Sequence, residues 1–593
     1  MNVSKFIANY LASLNVKHVF LITGGAIAFF VDELSGRNDI NYICMHHEQS
    51  AAMAAESYSR IGPGLGVATA TSGPGATNLI TGICCAWFDS IPCLYITGQV
   101  NTEEQKGESK VRQIGFQETD IVEIVKPITK FAQKLERAED IRYMLEKAVY
   151  LAKSGRSGPV LIDVPVNLQY AEINPKKLKG FNLPHVKKNA GVGAKVLKTI
   201  DLLNRSKRPV LLLGFGVRLS GAQLEKDKLL KILNIPVITT WSGLDLVPFN
   251  NPNRVGQSGI YGDRASNLAI QNADLLISVG ARLDTRQTGG KPQNYAREAK
   301  KIVIDIDEAE LDKKRGLNPD LPIRADAKEF LSAFLKQQSK INMTNITDWT
   351  GQIKSWKKKY PILKEAHFKQ KEYVNPYVFC KVLSDLMSGD AIIISDTGAS
   401  LAWTIQGIQL REGQRLFSAF GNSPMGYALP AAIGACFAIA NTRPVICITG
   451  DGGLQINIQE FQTIMHHKLP VKIFSLNNKC YGIIKQFQDT WINSRYEASQ
   501  KGYSTPDFIK VAKSYGLNSV QIKNNQELKR KIAQVLASQG PVFCDVLLNP
   551  DQKVEPKIEF GMPLEDMTPY LPRAEFRKNM LISPLPESLK LKI

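Results

Sequence analysis

Short apolar runs alternate with amphipathic stretches along most of the chain. In the first part the runs lie at 19–22, 66–71, 92–97 and 159–164, and helix-period patterns separate them, beginning with 1–16. Runs without a polar alternation fit strands buried on both faces, and their alternation with helices predicts a parallel α/β sheet. A polar, lysine-rich stretch at 172–188 reads as a linker. A second set of runs follows at 209–213, 236–239, 275–279 and 301–306. A polar helical pattern at 347–373 leads to Asn375-Pro376, which opens a third block with runs at 391–395, 444–449 and 471–476. The apolar stretch 430–440 suits a buried helix, and the last forty-odd residues, rich in proline, read as a strap or lid. The expected fold is α/β, with three mainly parallel-sheet domains over 1–170, 192–335 and 375–550 and a tail over 551–593.

Length agrees with this division, because 593 residues exceed what one hydrophobic core sustains. The composition, 44% hydrophobic and 22% charged, excludes a disordered or fibrous chain. No apolar run is long enough to span a membrane, and no secretory signal pattern opens the chain. Nine cysteines without a CxxC spacing read as reduced core thiols of a cytoplasmic protein. The formal charge of +19 raises nucleic acid as a partner, but the lysines are dispersed. The densest spots, Lys176-Lys177 and Lys357-Lys358-Lys359 between Trp356 and Tyr360, are too short for a single-strand groove. Neither nucleic acid nor membrane is expected.

The chemistry starts in the third block. The run 444–449 ends in Gly450-Asp451-Gly452-Gly453, a helix pattern spans 457–467, and the run 471–476 ends in Asn477-Asn478. A strand–helix–strand unit brings both strand ends to one sheet edge, where Asp451 and Asn478 can meet. A carboxylate, an amide oxygen and the carbonyl of Cys480 suit Mg²⁺, which prefers oxygen ligands and keeps phosphates in its shell. The glycines Gly450, Gly452 and Gly453 let backbone amides approach an anion. Taken alone, the same residues also read as a plain turn and a helix cap.

The GDGG…LNN pattern at this spacing resembles the thiamine diphosphate motif. With FLITGGA at 20–26, HEQSAAMA at 47–54, TSGPGATNLIT at 71–81, DSIPCLYITGQV at 89–100, SGRSGPVLIDVP at 154–165, GARLDTRQT at 280–288 and MGYALPAAIG at 425–434, the chain resembles the acetolactate (acetohydroxyacid) synthase family over nearly its whole length. The resemblance implies three doubly wound domains: pyrimidine-binding, central FAD-type and diphosphate-binding. It implies an enzyme that decarboxylates pyruvate and transfers the two-carbon acetyl equivalent to a carbonyl acceptor. The cofactors it implies are thiamine diphosphate, Mg²⁺ and a structural FAD. A homodimer or dimer of dimers with the site between chains is expected.

By the same resemblance Glu48 activates the cofactor's aminopyrimidine, Gln117 in Phe116-Gln117-Glu118 meets the reacting intermediate, and Met425 props the cofactor rings. Gly24, Gly25, Thr71 and Asn78 fall in motifs of the pyrimidine domain, while Thr397 and Gly398 stand where the family contacts the diphosphate. Arg156, Gly214, Gly216, Gly280, Arg282, Asp305 and Asp326 match its FAD contacts, and Arg286 matches the arginine that selects the second 2-ketoacid. His46 and His47 receive no role and read as packing residues.

The chain departs from the synthases in several places. Phe487 replaces the acceptor-side tryptophan, Val166 a lysine and Thr285 an aspartate, Thr397-Gly398 differs from the usual Gly-Gln-His, and the tail at 562–581 is unlike theirs. Most of these changes surround the acceptor, so its identity stays open between a 2-ketoacid and a nucleotide-linked keto-sugar. A non-ligating decarboxylase or acyl-CoA lyase is the remaining alternative.

Overall fold

Three six-stranded parallel sheets follow one another along the chain in a computed structural model that describes residues 1–62, 64–184 and 191–590. The first contains β1 (His18–Leu21), β2 (Asn41–Cys44), β3 (Gly66–Ala70), β4 (Cys93–Gln99), β5 (Phe131–Lys134) and β6 (Val160–Pro165). The second contains β7 (Pro209–Leu213), β8 (Val237–Thr239), β9 (Arg254–Gln257), β10 (Leu275–Val279), β11 (Lys300–Asp305) and β12 (Leu321–Arg324). The third contains β13 (Ile392–Ser395), β14 (Arg415–Phe417), β15 (Val445–Gly450), β16 (Lys472–Asn477), β17 (Asn518–Ile522) and β18 (Val542–Leu547). The expected runs became strands to within a residue or two. The central ones are buried along their length, which explains their unbroken apolar sequence.

The first and third sheets share one topology. Their orders are β2-β1-β3-β4-β6-β5 and β14-β13-β15-β16-β18-β17, the same permutation shifted by twelve strands. The second runs β12-β11-β10-β7-β8-β9, a different winding. Each sheet reverses its direction of growth once near its middle: between β1 and β3, between β7 and β10, and between β13 and β15. In open parallel sheets such reversals leave a crevice at the carboxyl ends, where ligands bind.

The first and third domains join through two helices. Helix Glu48–Ile61 lies against Ala428–Ala438, the expected buried helix, and Ser57 donates to the Ala431 carbonyl at 2.6 Å. Gly434 permits the contact, because a Cβ there would stand 2.0 Å from the Ala54 carbonyl oxygen.

Several expectations needed correction. The polar segment at 347–373 is not one helix; Thr347–Lys359 ends before Pro361 and a short turn of helix, Glu365–Phe368, follows. Proline disfavours helix at the residue before it, which accounts for the break. Trp356, which flanks the lysine run, is core: it is 1% exposed and donates to Asn579 Oδ1 at 3.0 Å. Residues 185–188 of the expected linker and 591–593 of the tail lie outside the described residues. The tail is a fastened strap on the middle domain. Arg264 donates to the carbonyls of Met567 and Pro569 at 3.2 and 2.6 Å, and the buried Glu565 accepts from Gln271 and Arg297 at 2.6 and 2.9 Å. Among the described residues the nine cysteines are unpaired and no helix is long and apolar enough to cross a membrane.

Candidate active site

All three crevices carry residues that the sequence singles out. At the first, Glu48 opens its helix, and the His47 ring caps that helix by accepting from Gln49 N at 3.0 Å. Asn78 donates to Glu48 Oε2 at 3.0 Å. Thr71, from the end of β3, accepts from Ala26 N at 3.2 Å, so the Gly24-Gly25 turn after β1 lies against it. A Cβ on Gly24 would meet Thr71 Cβ at 2.5 Å. Gln117 joins this group: its backbone packs on Gly73, and it holds φ of 65°, strained for a non-glycine residue. Glu118 ties the loop by accepting from Lys106 N and Ile114 N at 2.7 and 2.9 Å. The Phe116 ring is 86% exposed. His46 faces the third domain, with its ring nitrogen 3.0 Å from Thr463 Oγ1.

At the third crevice, helix Asp451–Ile456 starts on the aspartate itself and a separate helix, Glu460–His466, follows; the sequence had suggested one helix from 457. A Cβ on Gly450 would make an ordinary contact with Ser400 Oγ at 3.7 Å, one on Gly452 would strike the Tyr481 ring at 2.4 Å, and one on Gly453 would strike Asp396 at 2.8 Å. Asp451 is buried, which pushes its carboxyl up to about 7; its Oδ1 accepts from Gly452 N at 3.0 Å, and only its Oδ2 has no partner. Asn478 is equally buried with an unpartnered amide nitrogen, while its neighbour Asn477 is structural, donating to Asp545 at 3.0 Å. Two buried polar groups left unpaired at one sheet edge signal a missing ligand, because each costs free energy as it stands. A cation with a phosphate fits both, once the Asn478 amide turns its oxygen inward. The Cys480 thiol bonds the Pro550 carbonyl at 3.5 Å, so the Cys480 side chain is spoken for and only its carbonyl could serve a metal. Among the described residues no group of three or more His, Cys, Asp and Glu side chains forms a metal cluster.

Asp396, which the sequence reading missed, organises this crevice. Its carboxylate accepts from Thr397 N at 2.8 Å, Gly426 N at 3.0 Å and Thr449 Oγ1 at 3.1 Å. It thereby fixes the Thr397-Gly398 turn after β13, the end of β15 and the half-buried Met425 at once. Burial raises its pKa to about 6. Only its place at the end of a buried strand hinted at it. Tyr503 was missed too: its hydroxyl faces Asp451 and accepts from Gln455 at 3.2 Å.

The second crevice opens into a cavity of about 380 Å³ between the first and middle domains. Arg156, Gly216, Gly280, Arg282, Asp305 and Asp326 line it, whereas Gly214 stands behind the wall, where a Cβ would meet the Gly280 oxygen at 2.2 Å. Arg156 donates to Asp307 and Glu310 at 2.9 and 2.7 Å. Asp305 is pushed up to about 6 by burial, and Asp326 caps the next helix by accepting from Lys328 N at 2.8 Å. Guanidinium groups beside carboxylates match the phosphates and ribose hydroxyls of a dinucleotide.

Arg286 is exposed with its guanidinium 5.7 Å above the Tyr261 ring. Phe487 meets Phe560 of the tail edge to face at 5.7 Å, and Trp491 lies tilted against Phe560 at 6.0 Å. The tail runs between the two, since Val554 pairs with Gln486 at 2.9 Å and Ile558 N with the Ile260 carbonyl at 2.9 Å. Among the described residues no hydrogen bond joins the Glu48 group to Asp451, Asn478 or Thr397.

Comparison with known proteins decides the family. The thiamine pyrophosphate enzyme N-terminal TPP binding domain matches residues 1–124, the central domain 196–334, and the C-terminal TPP binding domain 396–546. The acetolactate synthase large subunit of Cyanidium caldarium is 36% identical over 93% of this chain and 94% of its own length. The isozyme 3 large subunit of Escherichia coli (strain K12) is 32% identical over 95% and 98%, and the large subunit of Lactococcus lactis 33% over 95% of each. The chain belongs to the acetolactate synthase large-subunit family. As a member of that family of thiamine diphosphate enzymes it acts on small molecules, and its first and third crevices are the parts of the chain matched by the TPP-binding domains.

Proposed function

We propose that this acetolactate synthase-like chain decarboxylates pyruvate and joins the two-carbon acetyl unit to the carbonyl of a second small molecule. The observation that carries this reading is the pair of buried, unpartnered atoms Asp451 Oδ2 and Asn478 Nδ2 at the third crevice. Bound thiamine diphosphate, with Mg²⁺ on its diphosphate, supplies the electron sink that decarboxylation needs. Asp451, Asn478 and the Cys480 carbonyl would hold the metal. Gly450, Gly452, Gly453, Thr397 and Gly398 give the diphosphate access to backbone. Met425 supports the rings. Asn78 occupies Glu48 Oε2, which leaves Oε1 to hold the proton for the pyrimidine ring.

Gln117 orients the reacting group, with Phe116 beside it in the same loop. Arg286 binds the acceptor's carboxylate or phosphate, and Phe487 lines the acceptor's other side. FAD occupies the middle cavity in a structural part. Glu48 and Asp451 sit on different crevices of one chain, which supports a homodimer or larger assembly with each site shared between copies. The unpaired thiols suit a reducing, cytoplasmic setting.

A nucleotide-linked keto-sugar as acceptor is the second reading. It is favoured by the open aromatic face of Phe487, Trp491 and Phe560, the last 68% exposed. The test is incubation with pyruvate, thiamine diphosphate and Mg²⁺, with and without keto-sugar, following CO₂ and product mass. Acetolactate formed from pyruvate alone supports the first reading, and CO₂ release only with the keto-sugar supports the second. No CO₂ under either condition overturns both.

A further inference from the structure

The turn at residues 88–90 belongs to two sites. On one side Phe88, Asp89 and Ser90 line the middle cavity. There Arg282 donates to the Phe88 carbonyl at 2.8 Å and Arg156 to Ser90 Oγ at 2.9 Å. On the other side the Asp89 carboxylate accepts from Phe420 N at 2.9 Å and Gly421 N at 2.7 Å. These residues begin the segment 420–427, which delivers Ser423 and Met425 to the third crevice. The approach is close: a Cβ on Gly421 would stand 2.6 Å from Phe88 Cβ. Ser90 holds φ of 61°, a left-handed conformation that a non-glycine residue keeps only where its surroundings enforce it.

The far end of the same segment is tied back to the same turn. Tyr427 donates to Glu56, a fully buried carboxylate that also binds Arg60. Arg60 in turn reaches Asp89 at 2.8 Å. Its guanidinium lies between Phe215 of the middle domain, at 5.2 Å, and Phe417 of the third, at 5.3 Å. Phe215 also lines the cavity. A closed circuit of polar contacts, buried at Glu56, Arg60 and Tyr427 and more open at Asp89 and Arg282, therefore connects the cavity wall to both ends of the Met425 segment. Buried polar networks of this kind have few alternative arrangements, because any unmatched member is costly.

We propose that the 88–90 turn couples occupancy of the middle cavity to thiamine diphosphate binding at the third crevice of the same chain, with Asp89 as the positioning residue. The proposal rests on the reading of the cavity as an FAD-type site. A dinucleotide bound against Phe88 and Ser90 fixes the turn, and Asp89 then holds 420–427 in the form that receives the thiamine cofactor. By linkage the effect is reciprocal.

The test uses the full-length protein stripped of cofactors. FAD is titrated by its fluorescence with and without saturating thiamine diphosphate and Mg²⁺, and thiamine diphosphate by calorimetry with and without FAD. Each ligand is expected to tighten the other by the same factor, about fivefold or more. Asp89→Asn should bring that factor close to one while both ligands still bind singly. A merely structural role would lower melting temperature and affinities but leave the factor unchanged, and that result overturns the proposal. So does a factor of one in the unaltered protein that binds FAD. Failure to bind FAD at all removes the FAD reading along with it. Hydrogen exchange needs no variant: FAD alone should slow exchange of the Phe420 and Gly421 amides, and unchanged exchange overturns the coupling.

Discussion

Both carboxylate oxygens of Asp396 face the backbone N–H of Gly426, at 3.0 and 3.2 Å. The contact joins the end of β13 to the residue after Met425, two places that nothing in their sequence connects. Gly426 is the right partner, since it holds φ of 85° and a Cβ there would meet Ile456 at 2.8 Å. Asp396→Ala strands the N–H groups of Thr397 and Gly426, while the Thr449 hydroxyl keeps the Gly450 carbonyl at 3.1 Å. Each stranded group costs about 1–3 kcal/mol, so thiamine diphosphate affinity should fall at least about tenfold. Calorimetric titration of the variant with Mg²⁺ and thiamine diphosphate checks this, and unaltered affinity would remove Asp396 from its organising part.

Glu48 offers a separate test, because Asn78 can still donate to a glutamine at that position. Glu48→Gln should keep cofactor binding and the fold while losing about 10²–10⁴-fold in turnover, the usual weight of a positioned proton donor. CO₂ release from pyruvate measures turnover, and a fluorescence titration measures binding. Turnover near that of the unaltered enzyme would take Glu48 out of the chemistry.

What the sequence made legible follows from how local each signal is. The strands could be read because burial on both faces leaves an unbroken apolar run, and Asp451 and Asn478 because each directly ends such a run. Asp396 ends one as well, yet its weight comes from partners 30 and 53 positions away that only the winding of the sheet brings to it. Trp356 was read as the flank of a basic surface, and its burial depends on a tail residue, Asn579, 223 positions on. Gly214 and Gly216 look alike beside β7 and both pack against Gly280, yet only Gly216 reaches the cavity wall, a difference set by the fold of the 280 turn over them.

Metal uptake should depend on pH through Asp451. Burial raises its pKa from the ordinary 3.8 to about 7 in the ligand-free fold. The protonated form is thus the stable one there, and the stability it contributes is full below about pH 4 and lost as pH rises through about 7. Mg²⁺ binds the carboxylate, so it must displace that proton. Calorimetry at pH 6.5 in two buffers of different ionisation heat should show proton release on binding Mg²⁺ and thiamine diphosphate. The release should shrink by pH 8 and be smaller in Asp451→Asn. Equal release in that variant would assign the proton to the diphosphate instead of Asp451.

Two glycines in helices predict opposite signs for one substitution. Glycine within a helix costs about 1 kcal/mol relative to alanine, so an exchange normally stabilises. Gly351 sits in Thr347–Lys359, where an added methyl would find nothing within 4 Å, and Gly351→Ala should raise stability by up to that amount. At Gly434 the added methyl meets backbone at 2.0 Å, and backbone of a packed helix does not yield cheaply. Overpacking of this kind costs about 1–3 kcal/mol or more, which outweighs the propensity gain. Gly434→Ala should therefore lower the melting temperature and loosen the contact between the first and third domains, where Ser57 and Ala431 meet. Differential scanning calorimetry of the two variants side by side gives the comparison, and a Gly434→Ala protein as stable as Gly351→Ala would mean that the two helices separate without cost.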